Sequence, residues 1–171
     1  MRRAALSFSI AVLTAAALIG AAPAQAKATT KNLTFPVDLT SSGTVLETLP
    51  GDITYGWNDL QGPTRWGKKD ASLRFLGSVD YVNGNGPFGG FVTVTRADGT
   101  RLGLSVSGWA TTPSDQTGTA NATFRGAVSV IGGSGPYAGA TGVGTMKGYR
   151  KAALGSPVQL TFSLTVSVPR T

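Results

Sequence analysis

The sequence predicts an all-β fold: a single antiparallel eight-stranded β-barrel following an N-terminal signal peptide. Three observations predict it. Apolar residues recur at every second position over long runs, the signature of strands with one buried face. Helical periodicity is absent after the first 26 residues. Turn-forming Gly, Asn, Asp and Pro residues separate the runs. About eight long strands in succession fit a closed barrel or a sandwich. Closure is favoured because the strands are long and closing the sheet removes exposed edges.

Residues 1–26 have the pattern of a signal peptide. Arg2 and Arg3 precede an apolar stretch from Ala4 to Ala22, interrupted by Ser7, Ser9 and Thr14, and Ala24-Gln25-Ala26 supplies the small residues of a cleavage site. The rival is an N-terminal membrane anchor. The cleavage site and an alanine-rich rather than leucine-rich core argue against it. No cysteine follows that could carry a lipid, and no later apolar run approaches the ~20 residues of a spanning helix. The expected product is a secreted, extracellular domain over residues 27–171, with no membrane association after cleavage. That length is one domain's worth, sufficient for a core.

The strands follow in order. Leu33, Phe35, Val37 and Leu39 alternate with Thr34 and Asp38 in a strand near 32–40, followed by a run at 43–49 and a weaker one at 52–57. Residues 58–71, with Trp66 and Lys68-Lys69, then form the longest irregular segment, and such loops carry function more often than strands do. Leu73, Phe75, Val79 and Tyr81 oppose Ser72, Arg74, Ser78 and Asp80 over 72–82, and Asn83-Gly84-Asn85-Gly86-Pro87 ends that strand. Asp98-Gly99 is a specific hairpin signal between strands at 89–96 and 101–110. Pro113-Ser114-Asp115-Gln116 with Gly118 makes a longer polar loop. Phe124, Val128 and Val130 alternate with Thr123, Arg125 and Ser129 in a strand at 119–131. Strands at 141–150 and 157–168 complete the set, the last alternating without a break from Val158 to Val168.

Composition removes much of catalytic chemistry. The chain has neither cysteine nor histidine. Disulfides, thiolate nucleophiles, Ser-His-Asp triads and imidazole bases are therefore absent. The eight acids are dispersed rather than clustered as calcium requires, so no metal site is expected. No cofactor is expected either. The formal charge of +7 falls by two with the loss of Arg2 and Arg3, and only Lys68-Lys69 and Arg150-Lys151 are adjacent. This lacks the basic stripe with interleaved aromatics of a nucleic-acid binder. It describes a solvated surface with mild attraction to anionic polymers.

The stretch IGGSGPYAGATGVGTMKGY, residues 131–149, is rich in glycine yet punctuated by apolar residues. A phosphate-cradling loop needs a helix immediately after its glycines. Here an alternating strand follows, so the glycines are structural. Gly132-Gly133 ends a strand, Pro136-Tyr137-Ala138-Gly139 makes a tight 3₁₀-like turn plugged by Tyr137, and Gly142, Gly144 and Gly148 mark a bend, a bulge or a close approach. IGGSGPYAGATGVGT resembles the corresponding segment of the allene oxide cyclase and dirigent proteins, especially their secreted bacterial relatives. The upstream TVTRADGTRLGLSVSG and TANATFRGAVSVIGGSG fit the same arrangement, so the resemblance covers about residues 72–168. It implies an eight-stranded barrel with a hydrophobic cavity. Plant members act on fatty-acid epoxides or steer phenoxy-radical coupling, and family relatives associate with one another. Their catalytic motifs are not found here, so no catalytic residue is carried over.

Candidate ligand-binding residues are Tyr81, Tyr149, Glu47, Trp57 and Trp66. Tyr81 shares the apolar phase of its strand, and a buried phenol needs a partner for its hydroxyl; the alternative is plain core packing. Tyr149 lies near a strand end, where barrel mouths are. Glu47, the only glutamate, is the one Glu available for proton transfer, against the usual role of a solvent-facing carboxylate. Trp57 and Trp66 could line a sugar or aromatic ligand beside Lys68-Lys69, and Trp109 falls on the polar phase of its strand, facing solvent or another subunit. No set of these forms a recognised catalytic spacing.

The expected function is binding of a small hydrophobic molecule, with cofactor-independent cyclisation or coupling in the cavity if the chain is catalytic. The alternative is a non-catalytic extracellular binding or structural module acting through its outer surface and the Trp57–Lys69 loop. A cavity lined by small residues favours the first; an interior filled by Phe75, Phe124, Phe162 and leucines favours the second. Homo-oligomerisation through the outer face is compatible with either.

Overall fold

The computed structural model describes residues 28–113, 121–151 and 156–170. The expected signal peptide and most of the polar loop after Pro113 lie outside them. Eight strands form one closed antiparallel barrel in sequential order: β1 (Thr29–Leu49), β2 (Ile53–Trp66), β3 (Lys69–Val82), β4 (Gly86–Arg96), β5 (Arg101–Thr111), β6 (Ala122–Gly133), β7 (Thr141–Arg150) and β8 (Val158–Val168). A single 3₁₀ turn, Gly135–Tyr137, joins β6 to β7. Among the described residues no helix is long and apolar enough to cross a membrane.

β1 closes the barrel. Its first half pairs with β8, from Thr29 opposite Val168 to Leu39 opposite Val158. Its second half pairs with β2, from Thr40 opposite Gln61 to Leu49 opposite Ile53. A register shift between Ser41 and Gly43 lies close to the handover. The runs expected separately at 32–40 and 43–49 are therefore one bent strand, because a bulge re-aims the chain without ending it.

The segment expected to be irregular, residues 58–71, is instead the body of β2 and the start of β3, paired from Ile53 opposite Val82 to Trp66 opposite Lys69. The correction has a physical cause. The inward phase of β2 is Thr54, Gly56, Asn58, Leu60, Gly62, Thr64 and Trp66, while Tyr55 and Trp57 point out. Polarity is nearly reversed, so the alternation carries little apolar signal. Pro63 sits beyond Gln61, where the pairing with β1 has ended and one fewer ladder donor is needed.

Hairpin turns behave as their residues require. At Asp98-Gly99, Gly99 takes φ +82° and the Asp98 carboxylate accepts the Thr100 backbone N–H at 3.1 Å. At the end of β3, Val82 and Asn85 exchange backbone hydrogen bonds around Asn83 and Gly84, both at positive φ.

The interior is filled over the half nearest the β2–β3, β4–β5 and β6–β7 connections. Phe35, Leu102, Leu104, Phe162 and Val166 are completely buried. Side chains of this kind each contribute roughly 1.5–3 kcal/mol over leaving them exposed. Trp66 meets Phe35 edge-on at 5.6 Å, and Tyr137 lies over Trp66 as the plug its position in the sequence suggested. The glycines permit this closure. A Cβ on Gly133 would lie 2.6 Å from the Tyr137 carbonyl oxygen, and one on Gly148 would lie 2.5 Å from the Leu160 Cδ2. Of the three roles open to the β7 glycines, close approach is the one observed.

Candidate functional site

The opposite end of the barrel is not filled. Between the inner faces of β2–β4 and β6–β8 lies a cavity of about 70 Å³. Its walls are Leu60, Phe75, Phe88, Phe124, Met146 and Leu160, with Ser41, Asn58 and Ser156 also contributing. Phe88 and Phe124 hold an edge-to-face contact at 5.8 Å, an arrangement that satisfies the ring quadrupoles and stiffens the wall.

Two buried polar side chains reach this largely apolar space. Tyr81 is the last inward residue of β3, following Leu73, Phe75 and Val79 in phase, and is 4% exposed. Burial pushes its phenol well above the ordinary tyrosine range, and the positive charge of Arg150 opposes that rise only in part. Arg150 is the last inward residue of β7 and is 5% exposed. Burial lowers its guanidinium pKa, with Tyr81 acting in the other direction. Its guanidinium carbon lies 5.9 Å from the Phe124 ring centroid. At neutral pH the cavity therefore presents a neutral phenol, able to donate and accept, beside a persistent cation with a planar fork of donors.

Among the described residues no carboxylate lines the cavity, and no cluster of three or more potential metal ligands occurs. The arrangement can exclude water, hold an apolar group and stabilise negative charge on an oxygen atom. Among the described residues it contains no group suited to act as a base near neutral pH.

Of the residues singled out from sequence, the fold brings only Tyr81 to the cavity. Glu47 is exposed on the β1–β2 hairpin opposite Tyr55. Trp57 stands on the outer face between Val45 and Ser78, about half exposed. Trp66 is 4% exposed at the filled end, in the core rather than on a binding loop. Tyr149 points outward beside Arg150, with the Lys151 ammonium 5.4 Å from its ring. Strand parity decides this: adjacent residues face opposite sides, so Tyr149 and Arg150 cannot share the interior. Arg150 was missed because an arginine reads as surface. The signal was present, since Met146, Gly148 and Arg150 are in phase and Met146 is core.

No protein-family model matches the sequence, and no curated protein matches it. Solved structures do share the fold. The pterocarpan synthase dirigent protein GePTS1 aligns over 85% of this chain and 93% of its own, at 12% identity and a TM-score of 0.50. The pterocarpan synthase dirigent protein PsPTS1 aligns over 84% and 97%, again at 12% identity and a TM-score of 0.50. The chain has the dirigent-type eight-stranded barrel.

Proposed function

We propose that this chain is a secreted dirigent-type barrel protein that binds one end of a small hydrophobic molecule at its unfilled pole and templates cyclisation or coupling there. The observation that carries the reading is the pairing of a buried neutral phenol, Tyr81, with a buried cation, Arg150, inside largely apolar walls. Two buried polar side chains converging on one small cavity define an orientation for an oxygen-bearing ligand. Catalysis would come from holding the reacting ends close and dry, not from proton abstraction. The dirigent barrels of matching fold are pterocarpan synthases, which supports a templating role.

Size narrows the ligand. About 70 Å³ is roughly half of a cavity that suffices for benzene. The cavity takes a terminal group while the rest of the molecule occupies the mouth.

The test is native mass spectrometry of the protein purified from its culture medium, followed by organic extraction, with anilinonaphthalene sulfonate as a defined probe. A co-purifying apolar metabolite, and probe binding weakened by Arg150→Gln in a normally folded protein, are expected. An empty protein whose probe binding is indifferent to both Arg150→Gln and Tyr81→Phe would overturn the reading.

A second reading has its own observation. Leu76 and Phe91 are direct cross-strand partners on the outer face, 44% and 62% exposed. With Trp57 and Val45 nearby on β2 and β1, they give the outer surface an apolar strip suited to self-association. Sedimentation of the wild type against Phe91→Ser distinguishes an assembly from a monomer.

A further inference from the structure

We infer that the filled pole of the barrel is a docking surface for an acidic polysaccharide. The basic residues look dispersed along the sequence, but the topology gathers them. In a sequential antiparallel barrel every second connection falls at the same pole, together with both ends of the sheet. At this pole β1 contributes Lys31. The β2–β3 turn contributes Arg65, Lys68 and Lys69. The β4–β5 hairpin contributes Arg96 and Arg101, and Arg170 follows β8. Five of these are exposed, Lys31 and Arg96 being half-buried.

Among the described residues two carboxylates share the pole, and both are engaged. Asp70 pairs with Arg65 at 3.1 Å, and Asp98 pairs with Lys69 at 2.9 Å and Arg96 at 3.6 Å. Among the described residues Lys31, Lys68, Arg101 and Arg170 have no carboxylate partner. The other pole carries Glu47, Asp52 and Asp80 with Arg150 and Lys151, so the barrel is charge-polarised along its axis. Beneath the basic pole, Trp66 Nε1 and Arg96 Nε are buried N–H donors without an acceptor. The surface and the layer under it are thus both short of acceptors.

Charge complementarity calls for a polyanion. Two candidate classes fit poorly. The exposed large apolar side chains nearest this pole, Ile131 and Val143, stand on the wall two residues inside β6 and β7 rather than on its turns, a small patch for insertion into a lipid surface. Its aromatic rings, Trp66 and Tyr137, are buried and cannot stack with bases. A carboxylated or sulfated polysaccharide needs neither. Spaced ammonium groups and guanidinium forks match its repeating anions, and its charge density raises the local concentration of the barrel. The expected export places the domain where such polymers are met.

The full mature protein should be titrated with polygalacturonate and dextran sulfate, with phosphatidylglycerol vesicles and single-stranded DNA alongside at matched charge and uncharged dextran at matched mass. Binding to the two acidic polysaccharides that weakens steeply with salt is expected, with none to dextran. Lys68→Glu/Arg101→Glu should weaken it roughly tenfold at low salt, as losing two exposed attractions and adding two repulsions would. Arg125→Glu/Lys147→Glu carries the same change of net charge on the barrel wall and should weaken it much less, both variants melting like wild type. Equal losses in the two variants would assign the binding to net charge and overturn the proposal. So would tighter binding to DNA or vesicles, or no polysaccharide binding at all.

Discussion

Tyr137 packs its ring on Trp66, with centroids 4.7 Å apart and planes tilted by 57°. The contact joins the last inward residue of β2 to the 3₁₀ turn after β6, and with Phe35 it caps one end of the barrel. Lys31 lies over the Tyr137 ring at 4.8 Å and Arg96 over the Trp66 ring at 5.5 Å, so each aromatic face also receives a cation. Tyr137→Ala should cost about 3 kcal/mol in denaturant unfolding, as a large buried aromatic removed to leave a void. Because the cap and the cavity are at opposite poles, anilinonaphthalene sulfonate binding should survive in the folded fraction. A variant that keeps its stability would show the cap to be ornamental.

Gly133→Val should be more damaging still. Its Cβ would lie 2.6 Å from the Tyr137 carbonyl oxygen, 2.8 Å from the Tyr137 Cβ and 3.0 Å from the Arg101 carbonyl oxygen. Backbone cannot yield as a flexible side chain does, so a loss above ~3 kcal/mol is expected by thermal or chemical unfolding. Normal melting combined with lost ligand binding would instead make Gly133 a binding residue.

Tyr81 should be the last tyrosine to ionise in a spectrophotometric titration of the native protein. Its folded pKa is raised by burial above the unfolded value near 10. The raised group favours the folded state while neutral: its contribution is fully present below about pH 10 and is lost as pH rises further. Tyr81→Phe should therefore unfold less readily in alkali than wild type, relative to each protein's stability at neutral pH. Identical alkaline limbs would place the phenol in contact with water.

Asp98 has the opposite sign. Hydrogen bonds from Lys69 and Thr100 hold its carboxyl below the usual carboxylate range. A depressed carboxylate contributes stability above its unfolded pKa of about 3.9, and that contribution is lost as pH falls through the folded value. The melting temperature of wild type should thus drop more between about pH 5 and pH 2 than that of Asp98→Asn. Parallel acid limbs for the two proteins would contradict the assignment.

Legibility followed local pattern. β3, β5, β6 and β8 were readable because each alternates apolar with polar residues, and the Asp98-Gly99 and Asn83-Gly84 turns because their residues accept positive φ. β2 was not readable, because its inner face is mostly threonine, glycine and asparagine and its outer face carries Tyr55 and Trp57. Of the site, Tyr81 was legible from parity. Arg150 obeys the same parity but offends the expectation that arginine is exposed, an expectation that fails when a strand ends at the mouth of a cavity.

The sequence alone determined the all-β class, the inward and outward faces of most strands, the turns, and the need for glycine at Gly133. These depend on backbone sterics and on a period of two, which neighbouring residues establish among themselves. Closure decided the rest. Only the pairing of β1 with both β8 and β2 makes an interior with a filled pole and an unfilled one, placing Tyr81 with Arg150 and Trp66 with Tyr137. Only alternate connections returning to one pole bring Lys31, Lys68, Arg101 and Arg170 to a common surface. Burial and electrostatic potential depend on distances between residues far apart in the chain, and those distances do not exist until the barrel has closed.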